Sequence, residues 1–183
     1  LSDLEWSSTT SGAVAVYGED AGCESLSPDG DACDPSWSLN EYGRLYNWYA
    51  VDDARGLCPS GWHVPTDGEW MTLEILLGMS DSQANGTGWR GTDQGMHLKA
   101  TVGFDNEGNG PDTYGFGALP GGDRFYDNGH FGNAGTHAIW WTSSTNSGPG
   151  PNSCNRRVAA STDLMARYFN QPTAGMSVRC IKD

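Results

Sequence analysis

Two passages dense in aromatic residues and turn formers constrain this chain most. The first is YGRLYNWYAV at Tyr42–Val51, followed by CPSGWHVPTDGEW at Cys58–Trp70. The second runs from GFGALPGGDRF at Gly115, through WWTSS at Trp140–Ser144, to SVRC at Ser177–Cys180. Tight turns set among large apolar rings describe a loop-rich domain that packs on aromatics. The presence of 26 Gly and 8 Trp against only two Lys says the same. At 183 residues the chain fits one domain and is long enough to bury a core.

Charge narrows the partners. The net charge of -13 argues against nucleic acid and anionic membrane surfaces, both of which demand basic patches. Residues 1–107 hold 18 acidic and 4 basic side chains, whereas 108–183 hold 5 and 6. No apolar run has the length of a membrane-spanning helix. The opening Leu1-Ser2-Asp3 reads as a mature or trimmed start, with a signal or lipid anchor removed. Cys23, Cys33, Cys58, Cys154 and Cys180 form no C-x-x-C pair, and no His stands at metal-ligand spacing from them, which argues against zinc. Two disulfides and one free thiol fit five cysteines in an oxidising, extracellular setting. The alternative is five reduced thiols in a cytosolic protein.

Local signals place several elements. Residues 1–40 read as a polar segment without helical period, and CESLSPDGDAC sets Cys23 and Cys33 around a Pro-Asp-Gly turn, predicting a small disulfide-closed loop. Arg44–Val51 reads as a buried strand, with Tyr46 and Trp48 on one face and Leu45 and Tyr49 on the other. Thr66 and Glu69 make a capping box. Trp70, Leu73, Leu76 and Leu77 then recur on one helical face, and Gly78 ends the helix. Trp89–Ala100 reads as a turn followed by a short helix or strand. Further strands are predicted at Phe116–Leu119, Ile139–Ser143 and Arg156–Ala160. In the last strand Met176, Val178 and Cys180 face the core.

In order and spacing, the two quoted passages resemble the Fibrobacter major paralogous domain over residues 12–183, a branch of the C-type lectin-like fold. That fold also houses the variable proteins of diversity-generating retroelements and formylglycine-generating enzymes. The resemblance implies an α+β, loop-rich C-type lectin-like domain with short antiparallel strands and one or two helices. A single domain is expected over 1–183, with a core at 41–183 and a variable ligand-binding region at 121–175. It also implies a disulfide from Cys58, before the first helix, to Cys180. Cys154 is then free.

Several chemistries compete with a binding role. The formylglycine-generating enzymes use a pair of reactive cysteines near the carboxyl end. Here Cys180 is assigned to a disulfide and Cys154 has no partner thiol, so no catalytic residue is expected. His63 lies inside the GWHVPT signature, and His97 has no obvious partner. His130 and His137 lie near Asp123 and Asp127 at a spacing that matches no ligand pattern. Asp105–Gly110 imitates the start of a calcium loop, but Phe116 stands where the bidentate carboxylate belongs. Gln171-Pro172-Thr173 lacks the third polar ligand of the calcium-dependent sugar lectins. No metal and no cofactor is therefore expected.

A binding surface remains. Between the framework turns at Gly121-Gly122, the Trp140-Trp141 pair and the terminal strand lie the candidate ligand-binding residues. They are Asp123, Phe125, Tyr126, Asp127, His130, Thr136, His137 and Ile139, followed by Asn152, Asn155, Ala159, Ser161, Asp163, Tyr168 and Asn170. This mixture of aromatic, small and polar side chains is the palette of an adaptable paratope. Composition adds a hint. An Asn codon mutated only at its adenines never becomes Lys, Glu, Gln, Met or Trp. Those types supply 19 of residues 1–107, but only Trp140, Trp141, Met165 and Gln171 in 123–173. The reading is a non-enzymatic protein, extracellular, on a cell surface or on a phage virion, binding a protein or glycan of another surface through a diversified face. Its rivals are an undiversified glycan-binding or structural ectodomain and, behind that, a formylglycine-generating type of enzyme. The candidate side chains are expected to be exposed on one surface, with Trp140, Trp141 and Arg179 held in the framework.

Overall fold

Capping chemistry decides where this glycine-rich chain becomes helical. The computed structural model describes residues 1–20, 22–23, 27–147 and 153–183; Asn152 lies outside them. Ser2 and Glu5 form a capping box ahead of α1 (Asp3–Ser8), and β1 (Val14–Ala15) follows. The Asp34 carboxylate accepts from the Ser36 and Trp37 amides at the start of α2 (Pro35–Glu41). After β2 (Leu45–Tyr46), the Asn47 side chain accepts from the Ala50 amide and starts α3 (Trp48–Val51). Next come β3 (Trp62–His63) and α4 (Asp67–Leu76), the latter opened by the reciprocal Thr66 and Glu69 bonds. A third box, Ser80 with Gln83, opens α5 (Asp81–Asn85), followed by β4 (Gly88–Arg90) and α6 (Gln94–Leu98). The rest is strand: β5 (Gly121–Arg124), β6 (Phe131–Ala134), β7 (His137–Thr145), β8 (Ser153–Ala159), β9 (Thr162–Asn170) and β10 (Ile181–Lys182). The fold is α+β with antiparallel strand pairs.

The principal sheet has the order β4-β9-β8-β7, and β1-β2, β3-β10 and β5-β6 pair beside it. Register divides the sheet into two faces. Trp140, Arg156 and Arg167 are aligned across it, as are Trp141, Asn155 and Tyr168. The first face packs against α4 and α6, where Trp70, Leu98, Trp140, Val158 and Met165 form one core cluster. The second face buries Ile139 and Trp141 against Val51, Val64 and Met176. Trp140 and Trp141 are buried as expected, and Arg179 donates to the Phe116 carbonyl.

Beneath α4 lies an ionic layer. Glu74 is fully buried between two guanidiniums, accepting from Arg90 Nη2 at 2.6 Å and from Arg156 Nε at 2.7 Å. Arg156 also reaches Asp67 Oδ1 at 2.7 Å, and Arg167 grips both Asp67 oxygens at 2.9 and 2.6 Å. Burial pulls the Asp67 carboxyl upward, but bonds from Arg167, the Cys154 thiol and Arg156 outweigh it and hold the group below the usual range.

Several expectations fail for identifiable reasons. Residues 44–51 are not one strand, because Asn47 caps a helical turn after two strand residues. Leu76 is exposed, while Glu74 points inward in its stead to meet the arginines. Phe116–Leu119 makes a single bridge, Lys99 to Ala118, and the terminal strand shortens to β10 after isolated bridges at Met176 and Ser177. Residues 1–40 are not merely polar, since Trp6, Ala15, Tyr17 and Ala32 are buried in a cluster with Leu45 and Phe131.

Cys23–Cys33 and Cys58–Cys180 are disulfides, and Cys154 is a buried free thiol. The second bridge spans 122 residues and lies beside the β3-β10 pair; closing such a loop is worth about 5 kcal/mol in the chain-entropy account. No helix among the described residues is long and apolar enough to cross a membrane. Removing Glu74 leaves two guanidiniums without their shared buried carboxylate. Glu74→Ala is therefore expected to lower stability by about 3–5 kcal/mol in denaturant unfolding, whereas Leu76→Ala, exposed on the same helix, should change it by less than about 0.5 kcal/mol.

Candidate functional site

On the second face of the sheet, where α3 no longer covers it, polar and aromatic side chains gather. β8 and β9 place Arg157, Tyr168 and Asn170 on this face, because Arg157 pairs with Ala166, Asn155 with Tyr168 and Ser153 with Asn170. The Arg157 guanidinium lies 5.2 Å from the Tyr168 ring centre, and Trp89 on β4 meets the same ring edge-on at 6.5 Å. Arg157 Nε donates to Asn155 Oδ1 at 2.9 Å, which fixes the cation over the sheet.

The β5-β6 hairpin supplies the other wall. Gly122 adopts φ +65 and a side chain there would run into the Gly132 carbonyl, so only glycine lets the two strands approach so closely. Asp123 follows, and Asn133 Nδ2 donates to its Oδ1 at 2.7 Å. A cavity of about 330 Å³ opens beside it, lined by Asp123, Phe125, Tyr126, Asp127, Asn128 and Asn170. Tyr126, Asp127 and Asn128 are exposed at its rim, with Phe125 and Asn170 half-buried. Five of the sequence-predicted residues thus converge on one concavity, and Tyr168 adjoins them two residues from Asn170 on the same strand face.

The remaining candidates divide. Asp123, Ile139, Asn155 and Ala159 are buried, contrary to the exposure expected of them, because the inward face of the hairpin and sheet needs them as its floor. His137 is half-buried and hydrogen-bonds Thr136 Oγ1 at 2.9 Å; burial, then the Arg157 charge, lowers its basicity. His130 turns toward the amino-terminal segment, 3.5 Å from Asp3. Ser161 and Asp163 sit at the β8-β9 hairpin end, where Asp163 comes within 3.8 Å of the buried Lys99. The expectation of one shared surface therefore fails for His130 and Asp163. Trp89, Asn128 and Arg157 belong to the face but were not among the candidates. Trp89 lies far upstream of residues 121–175, and only the β4-β9 pairing brings it in.

Two other features bear on chemistry. The Cys154 thiol donates to Asp67 Oδ1 at 3.0 Å, and burial with this partner pushes it up to about 11, leaving it protonated at neutral pH. Among the described residues no group of His, Cys, Asp and Glu is arranged to hold a metal ion.

Burial raises the Asp123 carboxyl to about 6, against the partial relief of the Asn133 bond and the Arg157 charge. The folded protein therefore holds this proton where the unfolded chain has released it. Its contribution is a penalty that grows as pH rises from about 4 to 6. Asp123→Asn keeps the oxygen that accepts from Asn133 and removes the penalty. The variant should gain stability over the parent across that interval, by up to about 3 kcal/mol at pH 7, read as the difference between two pH profiles of denaturant unfolding.

No curated protein and no solved structure matches the chain. Residues 28–182 match the Fibrobacter succinogenes major domain, well over half of the sequence, and the chain belongs to that family.

Proposed function

We propose that the chain is a non-enzymatic ligand-binding protein and that the concavity between the β5-β6 hairpin and β9 is its binding site. The observation that carries this reading is the convergence of Phe125, Tyr126, Asp127, Asn170 and the adjoining Tyr168 on one open face above a buried floor. Exposed aromatics with few rotamers, mixed with carboxylate and amide groups, make contact area and adaptable hydrogen bonds at low entropic cost. The ligand is a protein or glycan of another surface. The two disulfides accord with an extracellular, cell-surface or virion setting.

The finer reading is a C-type lectin-like fold whose carboxyl-terminal face is diversified by a retroelement. It rests on the resemblance of the signature passages and on the scarcity of Lys, Glu, Gln, Met and Trp in residues 123–173. The disposition of those residues supports it: Trp140, Trp141 and Met165 are buried, so the excluded types persist where packing requires them. Gln171 is the exception, exposed just after β9. An adenine-restricted near-copy of the 3′ coding segment beside a reverse transcriptase gene is the genomic outcome expected. Its absence would leave an undiversified module of the same kind.

Binding is tested with fluorescently labelled protein on arrays of glycans and bacterial surface proteins. Saturable binding should survive EDTA. It should fall at least about tenfold in the combined variant Tyr126→Ser, Tyr168→Ser and Asn170→Ala, since central aromatics dominate such faces. The melting temperature should fall by only a few degrees. Unchanged binding by that variant would contradict the site.

A further inference from the structure

A second cavity lies away from that face, on the α4 side of the molecule, with a volume of about 390 Å³. Its walls are apolar: Trp70, Leu73, Leu98, Phe116 and Ile181. Rigid packing shapes it. Phe116 meets Trp140 edge-on at 5.5 Å and Trp70 at 6.0 Å, and Trp70 is 3% exposed. The volume falls within the range that encloses small organic ligands.

Arg179 lies in this apolar wall. Its guanidinium stacks over the Phe116 ring at 4.1 Å, and Nη1 donates to the Phe116 carbonyl. Among the described residues no carboxylate comes within ion-pair distance of it, and its other four N–H donors have no acceptor. Four arginines near the core are held by carboxylates: Arg90 and Arg156 by Glu74, Arg167 by Asp67, and Arg124 by Asp3, Glu19 and Asp20. Arg157 shares with Arg179 the lack of an ion pair among the described residues, but it belongs to the other face, over Tyr168 and bonded to Asn155. Arg179 is thus a half-buried cation without an ion-paired carboxylate, offset only by the more distant charge of Asp112, beside an open apolar chamber. Glu69 also lines the cavity, but both its oxygens are engaged, Oε1 by His63 at 2.9 Å and Oε2 by the Thr66 amide and hydroxyl at 2.8 Å.

We propose that this cavity is a second binding site, for a small monocarboxylate with a flat apolar body. The carboxylate meets Arg179 through two parallel N–H bonds, the arrangement a guanidinium fork is built for. The apolar body lies against the partly exposed hydrocarbon of Leu73, Phe116 and Ile181, with Trp70 behind it. The site shares no lining residue with the hairpin concavity and does not depend on it.

The probes are 3-phenylpropionate and its uncharged isostere 3-phenylpropanamide, titrated into the intact protein by calorimetry. A charge-assisted pair should make the carboxylate bind about tenfold tighter or more. Arg179→Met, which keeps the side chain's apolar length, should erase that difference. Leu73→Trp, which fills the chamber and leaves Arg179 in place, should abolish binding of both probes. Because Arg179→Met removes a stacking contact and could disturb folding, the unaltered protein gives an independent readout. On adding the carboxylate, its Arg179 Nε–H and Trp70 indole resonances should shift, and those of Trp89 and Tyr168 should stay. Equal affinity for the two probes, no saturable binding at millimolar carboxylate, or shifts confined to the hairpin face would overturn the proposal. The combined variant at Tyr126, Tyr168 and Asn170 should bind both probes normally, so failure of either site is read separately.

Discussion

Glu74 between Arg90 and Arg156 is the interaction on which the arrangement of this protein depends. It joins α4, β4 and the central strand β8 through one fully buried carboxylate. Asp67 repeats the device about two helix turns away with Arg156 and Arg167. Buried ion pairs of this kind are poor sources of net stability compared with well-packed hydrocarbon, because desolvation offsets most of the Coulomb gain. Their strength is geometric: only one helix position satisfies all five charged groups at once. The chain's charge asymmetry follows the same plan. The amino-terminal part is acidic and the carboxyl-terminal arginines meet its carboxylates, as where Arg124, stacked between Trp6 and Phe131, gathers Asp3, Glu19 and Asp20.

Once α4 fixes one face of the sheet, the other is free to serve as a platform. Its floor is set by buried Ile139, Trp141 and Asn155, and the Trp141 indole donates to the Tyr46 carbonyl at 2.8 Å. Above that floor, Tyr126, Asp127 and Asn170 have little packing to maintain. The arginine layer and the paired tryptophans fix the geometry of the fold, while the side chains proposed for recognition contribute little to it. A protein divided in this way is expected to tolerate exchange at Tyr126, Asp127 and Asn170.

Much of this was legible in the sequence, and the omissions have physical causes. The Thr66–Glu69 box, the Cys23–Cys33 loop and the burial of Trp140 and Trp141 follow from local rules or from the family pattern, and the structure contains them. Ser2-Asp3-Leu4-Glu5 carries the same capping signature as Thr66–Glu69, and Asp34-Pro35 carries another, so α1 and α2 were also within reach. Glu74 was not, because helical periodicity assigns a carboxylate to solvent unless its buried partners are known, and those come from residues 90 and 156. Asp123 and Asn155 read as exposed contacts for a related reason. Both lie on the side of the candidate face, Asn155 aligned with Tyr168, but they form its buried floor, and what covers a position is set by long-range packing. Trp89 joins the candidate face only through pairing across more than seventy residues.

The most direct test of this division of labour is a protease-resistance scan of every single substitution in the chain, with folded fraction as the readout. The account predicts broad tolerance at Tyr126, Asp127, Asn128, Tyr168 and Asn170, and sharp intolerance at Glu74, Arg156, Arg124 and Trp141. Comparable intolerance across the hairpin face would mean that those side chains hold the fold together, and the account of a rigid scaffold carrying an exchangeable face would be wrong.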